Sequence, residues 1–187
     1  MVKLIRFSTA AFVSLMLAPV AATLMAHSQH GQVVMTDDCD PATFNAAVGP
    51  GACIGHGETT FQAFLAELAA TRRVDDWEFD PDDVDNIATN GRVTAQNDGG
   101  ETHSFTQVKK FGGGFVAPLN APSGNPVPAP ECARTVNGNL IPASSALATL
   151  VPAGHQIDSA PLAAGTHLFQ CCIHPWMRTV VTVGGNY

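Results

Sequence analysis

The sequence of 187 residues is poor in basic and aromatic side chains. It has only nine lysines and arginines against 16 acidic residues, which gives a formal net charge of −7. This balance excludes a chain that binds nucleic acid through a basic surface, because the phosphate backbone attracts clustered positive charge. With 45% apolar residues the chain can still bury a core, and its length predicts one domain of ordinary size with a smaller appendage.

Long apolar runs are also scarce, and the longest lies within the first 26 residues. Lys3 and Arg6 precede this run, which ends in small residues, and that order is typical of a secretory leader. We therefore predict a signal peptide over these 26 residues, cleavage after Ala22 or Ala26, and a periplasmic or secreted protein. Because the leader holds two basic residues and no acidic one, its removal takes the net charge to −9. The alternative is an uncleaved membrane anchor, which would be the only membrane contact.

The acidic part of the sequence lacks the residue pattern of a calcium-binding loop. Seven acidic residues fall between Asp75 and Asp85, but the alternating Asp or Asn, the Gly and the later Glu of an EF-hand do not occur there. We interpret the run as a solvated strand edge whose charge resists aggregation. The alternative is a docking patch for a basic partner.

Cysteine is rare and its count is odd. Five cysteines in an exported chain indicate disulfide bonds with one thiol left over. Cys39 and Cys53 bracket a loop rich in Gly and Pro. Closing a loop of about 15 residues contributes roughly 3 kcal/mol in the chain-entropy model. This pair is therefore the firmest predicted bridge.

The remaining three cysteines leave a choice of partners. Cys132 could bridge to Cys171 or to Cys172. If the segment THLFQCC is a strand, alternation turns Phe169 and Cys171 inward together and leaves Cys172 free to reach Cys132. The competing arrangement is a bond between the two neighbouring cysteines, which would abolish any metal site here.

Four sulfur and imidazole side chains crowd into residues 171–177. Cys171, His174 and Met177 offer a thiolate, an imidazole and a thioether, which together favour copper, because sulfur ligands suit Cu(I) and imidazole holds Cu(II). A trigonal site of two histidines and one cysteine with a weak axial methionine is the arrangement of blue-copper electron-transfer centres, so a second histidine is required. The candidate is His103, which follows a turn of two glycines.

The pattern of these segments resembles the cupredoxin family, the plastocyanin-like and amicyanin-like blue copper proteins. The late motif is GTHLFQCCIHPWM, VPAG precedes it at residues 151–154, and the matching earlier positions are Trp77, Phe79, Pro81, Val84, Gly91, Val93, Asn97 and His103. The spacing from His174 to Met177 is similar to the short amicyanin-type loop. The sequence departs from the family at Ala95, where a Trp is expected, at the second cysteine, Cys172, and in a long insertion.

The resemblance implies the fold and the ligands. It implies an all-β, cupredoxin-like Greek-key β-sandwich over residues 75–187. It also implies that His103, Cys171 and His174 are the equatorial ligands of one type 1 copper ion and that Met177 is the axial ligand.

The resemblance also implies the function. We expect an exported electron carrier that exchanges single electrons with a redox protein partner and is not an enzyme. The imidazole edge of His174 is expected to lie near the surface, within an apolar rim that includes Trp176, where a small interface allows quick release. A copper carrier or chaperone without a shuttle role is the alternative. A multicopper oxidase or reductase would relay electrons through histidines beside the cysteine ligand, and here those positions are Gln170 and Cys172.

Two segments surround the predicted site. Residues 27–74 are predicted to form a disordered polar start at 27–32, a disulfide-closed loop and a short amphipathic helix that packs on the sandwich; the helical spacing is set by Phe61, Phe64, Leu65 and Leu68. The insertion, residues 111–132, is rich in Pro and Gly. We expect it to fold over or beside the copper end, held there by Cys132.

Overall fold

The computed structural model describes residues 28–184, and the predicted signal peptide lies outside the described residues. The elements are β1 Ser28–Thr36, α1 Pro41–Ala47, α2 Phe61–Thr71, β2 Glu78–Asp80, β3 Asp83–Asn97, β4 His103–Ser104, β5 Thr106–Val108, α3 Ala117–Asn120, β6 Ala133–Val136, β7 Asn139–Pro142, α4 Ser144–Ala148, β8 Leu150–Val151, β9 Gln156–Asp158, β10 Gly165–Gln170 and β11 Arg178–Val183. The described part of the chain is therefore mostly β, as predicted, with four short helices of which the sequence predicts only α2. Among these helices, none is both long and apolar enough to cross a membrane.

A mixed seven-stranded sheet holds most of the core. Its strand order is β2-β1-β3-β11-β10-β5, and β9 pairs with β3. β1 and β11 run parallel to β3, whereas β10 runs antiparallel to β11 and to β5. Alternate residues are buried along β11 and along the second half of β3, residues 91–97, which is the period expected for strands with one face on the core. The buried members include Val93, Ala95, Val181 and Val183.

The prediction of a disordered start is wrong for residues 28–32, because they belong to β1 of the sheet, while residue 27 lies outside the described residues. β1 lies between β2 and β3 and pairs with β3 from Ser28 to Met35. Its apolar end is anchored in the core, where Val33 and Met35 are fully buried. The polar first half is held through main-chain pairing, which does not depend on side-chain polarity. The strand lacks the alternation that would have predicted it.

A helical segment joins β1 to β2, and we call residues 37–77 the N-terminal cover. The predicted Cys39–Cys53 disulfide is present in it. Asp40 caps α1 by accepting the N–H of residue 43 at 3.0 Å, and Thr60 caps α2 by accepting the N–H of residue 63 at 3.2 Å. α2 occupies the segment whose spacing predicts an amphipathic helix.

Aromatic rings pack against one another inside the N-terminal cover. Phe44, Phe64 and Trp77 are almost fully buried, and their ring centroids lie 4.9 to 5.7 Å apart. Such aromatic contacts add about 0.5–1.5 kcal/mol each beyond their buried area. Phe64 and Trp77 also contact the ring of His174, which places the cover over the predicted ligands.

The insertion packs on the side of β10 that faces away from the main core and the N-terminal cover. Cys132 and Cys172 form a disulfide, which resolves the choice left open by the sequence in favour of the alternation argument. The N–H of Phe115 donates to the carbonyl of Cys172 at 2.8 Å. A Cβ atom on Gly114 would lie 1.9 Å from that carbonyl oxygen, so only glycine permits this approach. The insertion therefore lies directly beside the residue that follows Cys171.

Candidate metal centre

The loop between β10 and β11 contains three of the four predicted ligands. β10 ends at residue 170 and β11 begins at residue 178, so residues 171–177 form a tight connection. The N–H of Cys171 donates to the carbonyl of Met177, and the N–H of Met177 donates to the carbonyl of His174, both at 3.0 Å. These bonds close the loop on itself. They hold Cys171, His174 and Met177 at one end of the sheet, and Met177 is almost fully buried there.

His103 reaches the same place from a different part of the chain. It starts β4, where it pairs with Val151 of β8. The turn before it is fixed by Asn97, which is fully buried and donates through Nδ2 to the carbonyls of Glu101 and Val151 at 2.8 Å. Asn97 also accepts the N–H of Gly99 at 3.0 Å. The side chain of His103 is therefore positioned by strand pairing and by a closed turn.

Three predicted ligands meet in the interior. The ligand atoms of His103, Cys171 and His174 all lie within 4.8 Å of one another. The sulfur of Cys171 is 3.9 Å from Nδ1 of His103 and 4.0 Å from Nδ1 of His174, and the two Nδ1 atoms are 3.3 Å apart. The exposed fractions are 0%, 0% and 2% in the order His103, Cys171 and His174.

Cys171 is the one free cysteine within residues 28–184, and its surroundings favour the thiolate. Its sulfur accepts backbone N–H groups of Ser104, Ile173 and His174, each at 3.4 Å. Burial raises the pKa of Cys171, but hydrogen bonds and charge from His103 and His174 outweigh burial and hold the pKa well below its usual value. A thiolate is the form of cysteine that binds metals.

Two carboxylates that the sequence did not indicate lie behind the imidazoles. Oδ2 of Asp37 is 2.9 Å from Nε2 of His103, and neither side chain is exposed. Oε2 of Glu101 is 3.4 Å from Nε2 of His174, and the same oxygen accepts the indole N–H of Trp77 at 2.7 Å. Asp37 lies 66 residues from His103 in a polar segment without a motif. No local pattern could have identified it.

The pKa values of the first pair follow from this contact. Burial raises the pKa of Asp37, but the hydrogen bond and charge of His103, with backbone N–H groups, hold it at about 2. Burial lowers the pKa of His103, but hydrogen bonds to Asp37 and Cys171 raise it to about 9. Asp37 is thus ionised and can only accept, so Nε2 of His103 is the donor.

The donor set fits a copper ion. With Nε2 of His103 donating to Asp37, the proton on Nδ1 would leave when a metal ion binds, and the freed lone pair would face Cys171 and His174. A thiolate and two imidazole nitrogens facing one another attract a cation, and metal bonds to nitrogen and sulfur of about 2.0 to 2.3 Å allow one ion among these atoms. Thiolate with imidazole suits copper, whereas a calcium or magnesium site would require oxygen ligands.

His174, whose imidazole edge is expected near the surface, is buried. Only 2% of the residue is exposed. Three aromatic rings of Phe64, Trp77 and Trp176 lie against its imidazole, with centroids at 6.1, 6.5 and 5.5 Å. The first two belong to the N-terminal cover, which closes the face where the sequence predicted a docking rim. Trp176 is partly buried.

Comparison with known proteins gives structural matches only. No protein-family model and no curated protein sequence matches the chain. A purple cupredoxin from Nitrosopumilus maritimus matches with 15% identity and a TM-score of 0.39, over 82% of this chain and 99% of the other. A mutant plastocyanin of fern matches with 16% identity and a TM-score of 0.34, over 82% and 99%. A Cu(I) amicyanin mutant matches with 15% identity and a TM-score of 0.34, over 57% and 72%.

These solved structures are cupredoxins, the family that the sequence motifs resemble. Their identities and TM-scores are low.

Proposed function

We propose that this protein is an exported mononuclear copper protein that carries single electrons between redox partners. His103, Cys171 and His174 would be the equatorial ligands of a type 1 copper ion, and Met177 the axial ligand. The observation that supports this best is the buried free thiol of Cys171 facing two imidazole Nδ1 atoms within 4.8 Å. When bound, copper supplies a couple that gains and loses one electron.

The protein frame suits that task because it is rigid on both sides of the site. His103 is fixed by strand pairing, while Cys171 and His174 belong to a loop closed by its own backbone bonds. Fixed ligands limit the rearrangement between Cu(I) and Cu(II), and the sulfur and imidazole donors serve both states. Burial keeps water away from the donor atoms.

Export and the absence of an enzymatic role are part of the proposal. Two disulfides support an oxidising compartment, where such bonds persist. The residues beside Cys171 support a carrier, because both are used structurally. Gln170 hydrogen-bonds the backbone of Gly112, and Cys172 is bridged to Cys132. A histidine relay to further copper ions would need these two positions.

A copper carrier or chaperone is the second candidate, and the burial of His174 favours it. An electron carrier benefits from a ligand edge at its docking surface, and here aromatic rings cover that edge. The two functions share the same four proposed ligands. They differ in whether the bound ion changes oxidation state or is handed on.

Adding Cu(II) to the metal-free protein separates the candidates. An intense visible thiolate charge-transfer band with reversible reduction is expected for the electron carrier. Colourless Cu(I) binding with ready transfer to an acceptor would favour the copper carrier. Cys171→Ser should remove the band, whereas His167→Asn, a histidine outside the site, should retain it. Failure of the unmodified protein to bind copper in either state would contradict both.

A further inference from the structure

One buried carboxylate of the N-terminal cover contacts a ligand imidazole directly. Oδ2 of Asp37 contacts Nε2 of His103 at 2.9 Å and also accepts the N–H of Glu101 at 3.0 Å. Its other oxygen accepts the N–H of Cys39 at 3.2 Å. A single side chain thus joins an imidazole, the turn before that imidazole and the disulfide of the cover.

Glycines make this close approach possible. A Cβ atom on Gly99 would lie 2.0 Å from Oδ2 of Asp37, and one on Gly100 would lie 2.7 Å from the sulfur of Cys39. Real Cβ atoms do not approach other atoms so closely, so larger residues would push the cover away from the turn. The two glycines of the turn therefore leave the space that the carboxylate of Asp37 needs to contact His103.

The second imidazole has a similar but weaker partner. Oε2 of Glu101 lies 3.4 Å from Nε2 of His174 and accepts the indole N–H of Trp77 at 2.7 Å. The Glu101 side chain is 12% exposed, whereas that of Asp37 is not exposed at all. The carboxylate behind His174 thus lies farther from its imidazole than Asp37 does from His103. It is also more exposed to solvent and accepts a hydrogen bond from a second donor.

Building on the copper function above, we propose that Asp37 and Glu101 are positioning residues of the metal centre. Each carboxylate faces Nε2 of one imidazole, holds its ring orientation and leaves its Nδ1 for copper. A carboxylate behind a metal-bound histidine also makes that histidine a stronger donor. Added negative charge stabilises Cu(II) more than Cu(I), so the two residues lower the reduction potential.

Charge-removing variants test this role. Asp37→Asn keeps an oxygen that can accept the N–H of His103 but removes the charge. We expect its Cu(II) affinity to fall by about 10–100-fold, the usual effect of losing an outer-shell partner. If Cu(I) affinity is unchanged, each tenfold loss raises the potential by about 59 mV, the value for a one-electron couple. Glu101→Gln should shift the potential in the same direction by a smaller amount.

Asp38→Asn is the matched control. Asp38 is the next residue of the cover, and its carboxylate bonds the backbone and hydroxyl of Thr59 at 3.1 and 2.9 Å instead of an imidazole. The control loses the same charge and tests the same segment for folding. Its potential should equal that of the unmodified protein. A potential of Asp37→Asn equal to that of Asp38→Asn would overturn the proposal.

A second measurement applies if Asp37→Asn does not fold. Nitrogen-15 NMR of the unmodified Cu(I) protein should show a slowly exchanging proton on Nε2 of His103, with Nδ1 unprotonated. A protonated Nδ1 would overturn the proposal. An unmodified protein without a thiolate charge-transfer band would contradict the proposed function itself. A band together with unshifted potentials in Asp37→Asn and Glu101→Gln would contradict only the positioning role.

Discussion

Two disulfide-linked segments flank the candidate metal centre, and they contact it in different ways. The N-terminal cover places the carboxylate of Asp37 against His103 and aromatic rings against His174. The insertion instead bonds the backbone of Cys172 and the amide of Gln170. Within the part of the chain that the structure describes, no hydrogen bond joins the insertion to either imidazole. The cover therefore contacts the imidazoles through a carboxylate and aromatic rings, whereas the insertion contacts the backbone of the ligand loop.

Removing the disulfide of the insertion should have the largest effect on stability. The Cys132–Cys172 bridge closes a segment with a sequence separation of 40. Its loss in Cys132→Ala with Cys172→Ala should lower the free energy of unfolding by about 4 kcal/mol in the chain-entropy model. The potential should stay close to that of the unmodified protein, because neither imidazole loses a partner. Urea unfolding and voltammetry measure the two quantities, and a shift in potential larger than that of Asp37→Asn would contradict the distinction.

Removing the disulfide of the cover should cost less stability but affect the potential more. The Cys39–Cys53 bridge has a sequence separation of 14, so the same model gives about 3 kcal/mol for Cys39→Ala with Cys53→Ala. Asp37 accepts the N–H of Cys39, so a looser cover should weaken its contact with His103 and raise the potential. The same pair of measurements applies. An unchanged potential would show that the carboxylate is held without the bridge.

Copper removal should affect both sides of the centre, because the proposed ligands come from the turn behind the cover and from the loop beside the insertion. At a free copper concentration of 100 times Kd, binding should stabilise the folded protein by about 2.7 kcal/mol. Asp37→Asn, with tenfold weaker binding at the same concentration, should be stabilised by about 1.3 kcal/mol less than the unmodified protein. Thermal unfolding with and without copper measures this gain. An equal gain in Cys171→Ser would contradict coordination by the thiolate.

The same contrast explains how far the sequence could predict the site. Cys171, His174 and Met177 lie within seven residues, so their spacing carries the chemistry, and strand alternation pairs Cys172 with Cys132. His103 could be proposed because the ligand set lacked a histidine. The loop beside the insertion is thus defined by local sequence.

The imidazole side could not be predicted in the same way. Asp37 contacts His103 across 66 residues, and its position depends on β1, whose polar half has no strand pattern. The burial of His174 depends on how α2 and Trp77 pack over it, which periodicity alone does not give. Tertiary packing, not the local motif, decides which ligand edge is exposed.

The smallest expected change in reduction potential, and the one whose sign is most diagnostic, comes from Trp77, the indole that shares Glu101 with His174. Trp77→Phe removes the N–H donated to Oε2 at 2.7 Å and leaves an aromatic ring in the core. Loss of a hydrogen bond to a charged group should lower the free energy of unfolding by roughly 1.5 kcal/mol.

The freed carboxylate of Glu101 should then act more strongly on His174, so the potential of Trp77→Phe should fall slightly, opposite in sign to Glu101→Gln. Trp176→Phe is the matched control, since Trp176 also lies against His174 but its Nε1 has no hydrogen-bond partner among residues 28–184. Voltammetry of Trp77→Phe, Glu101→Gln and Trp176→Phe tests the predicted direction of each shift in potential. If Trp77→Phe and Trp176→Phe shift the potential alike, aromatic covering and not the shared carboxylate governs the imidazole of His174.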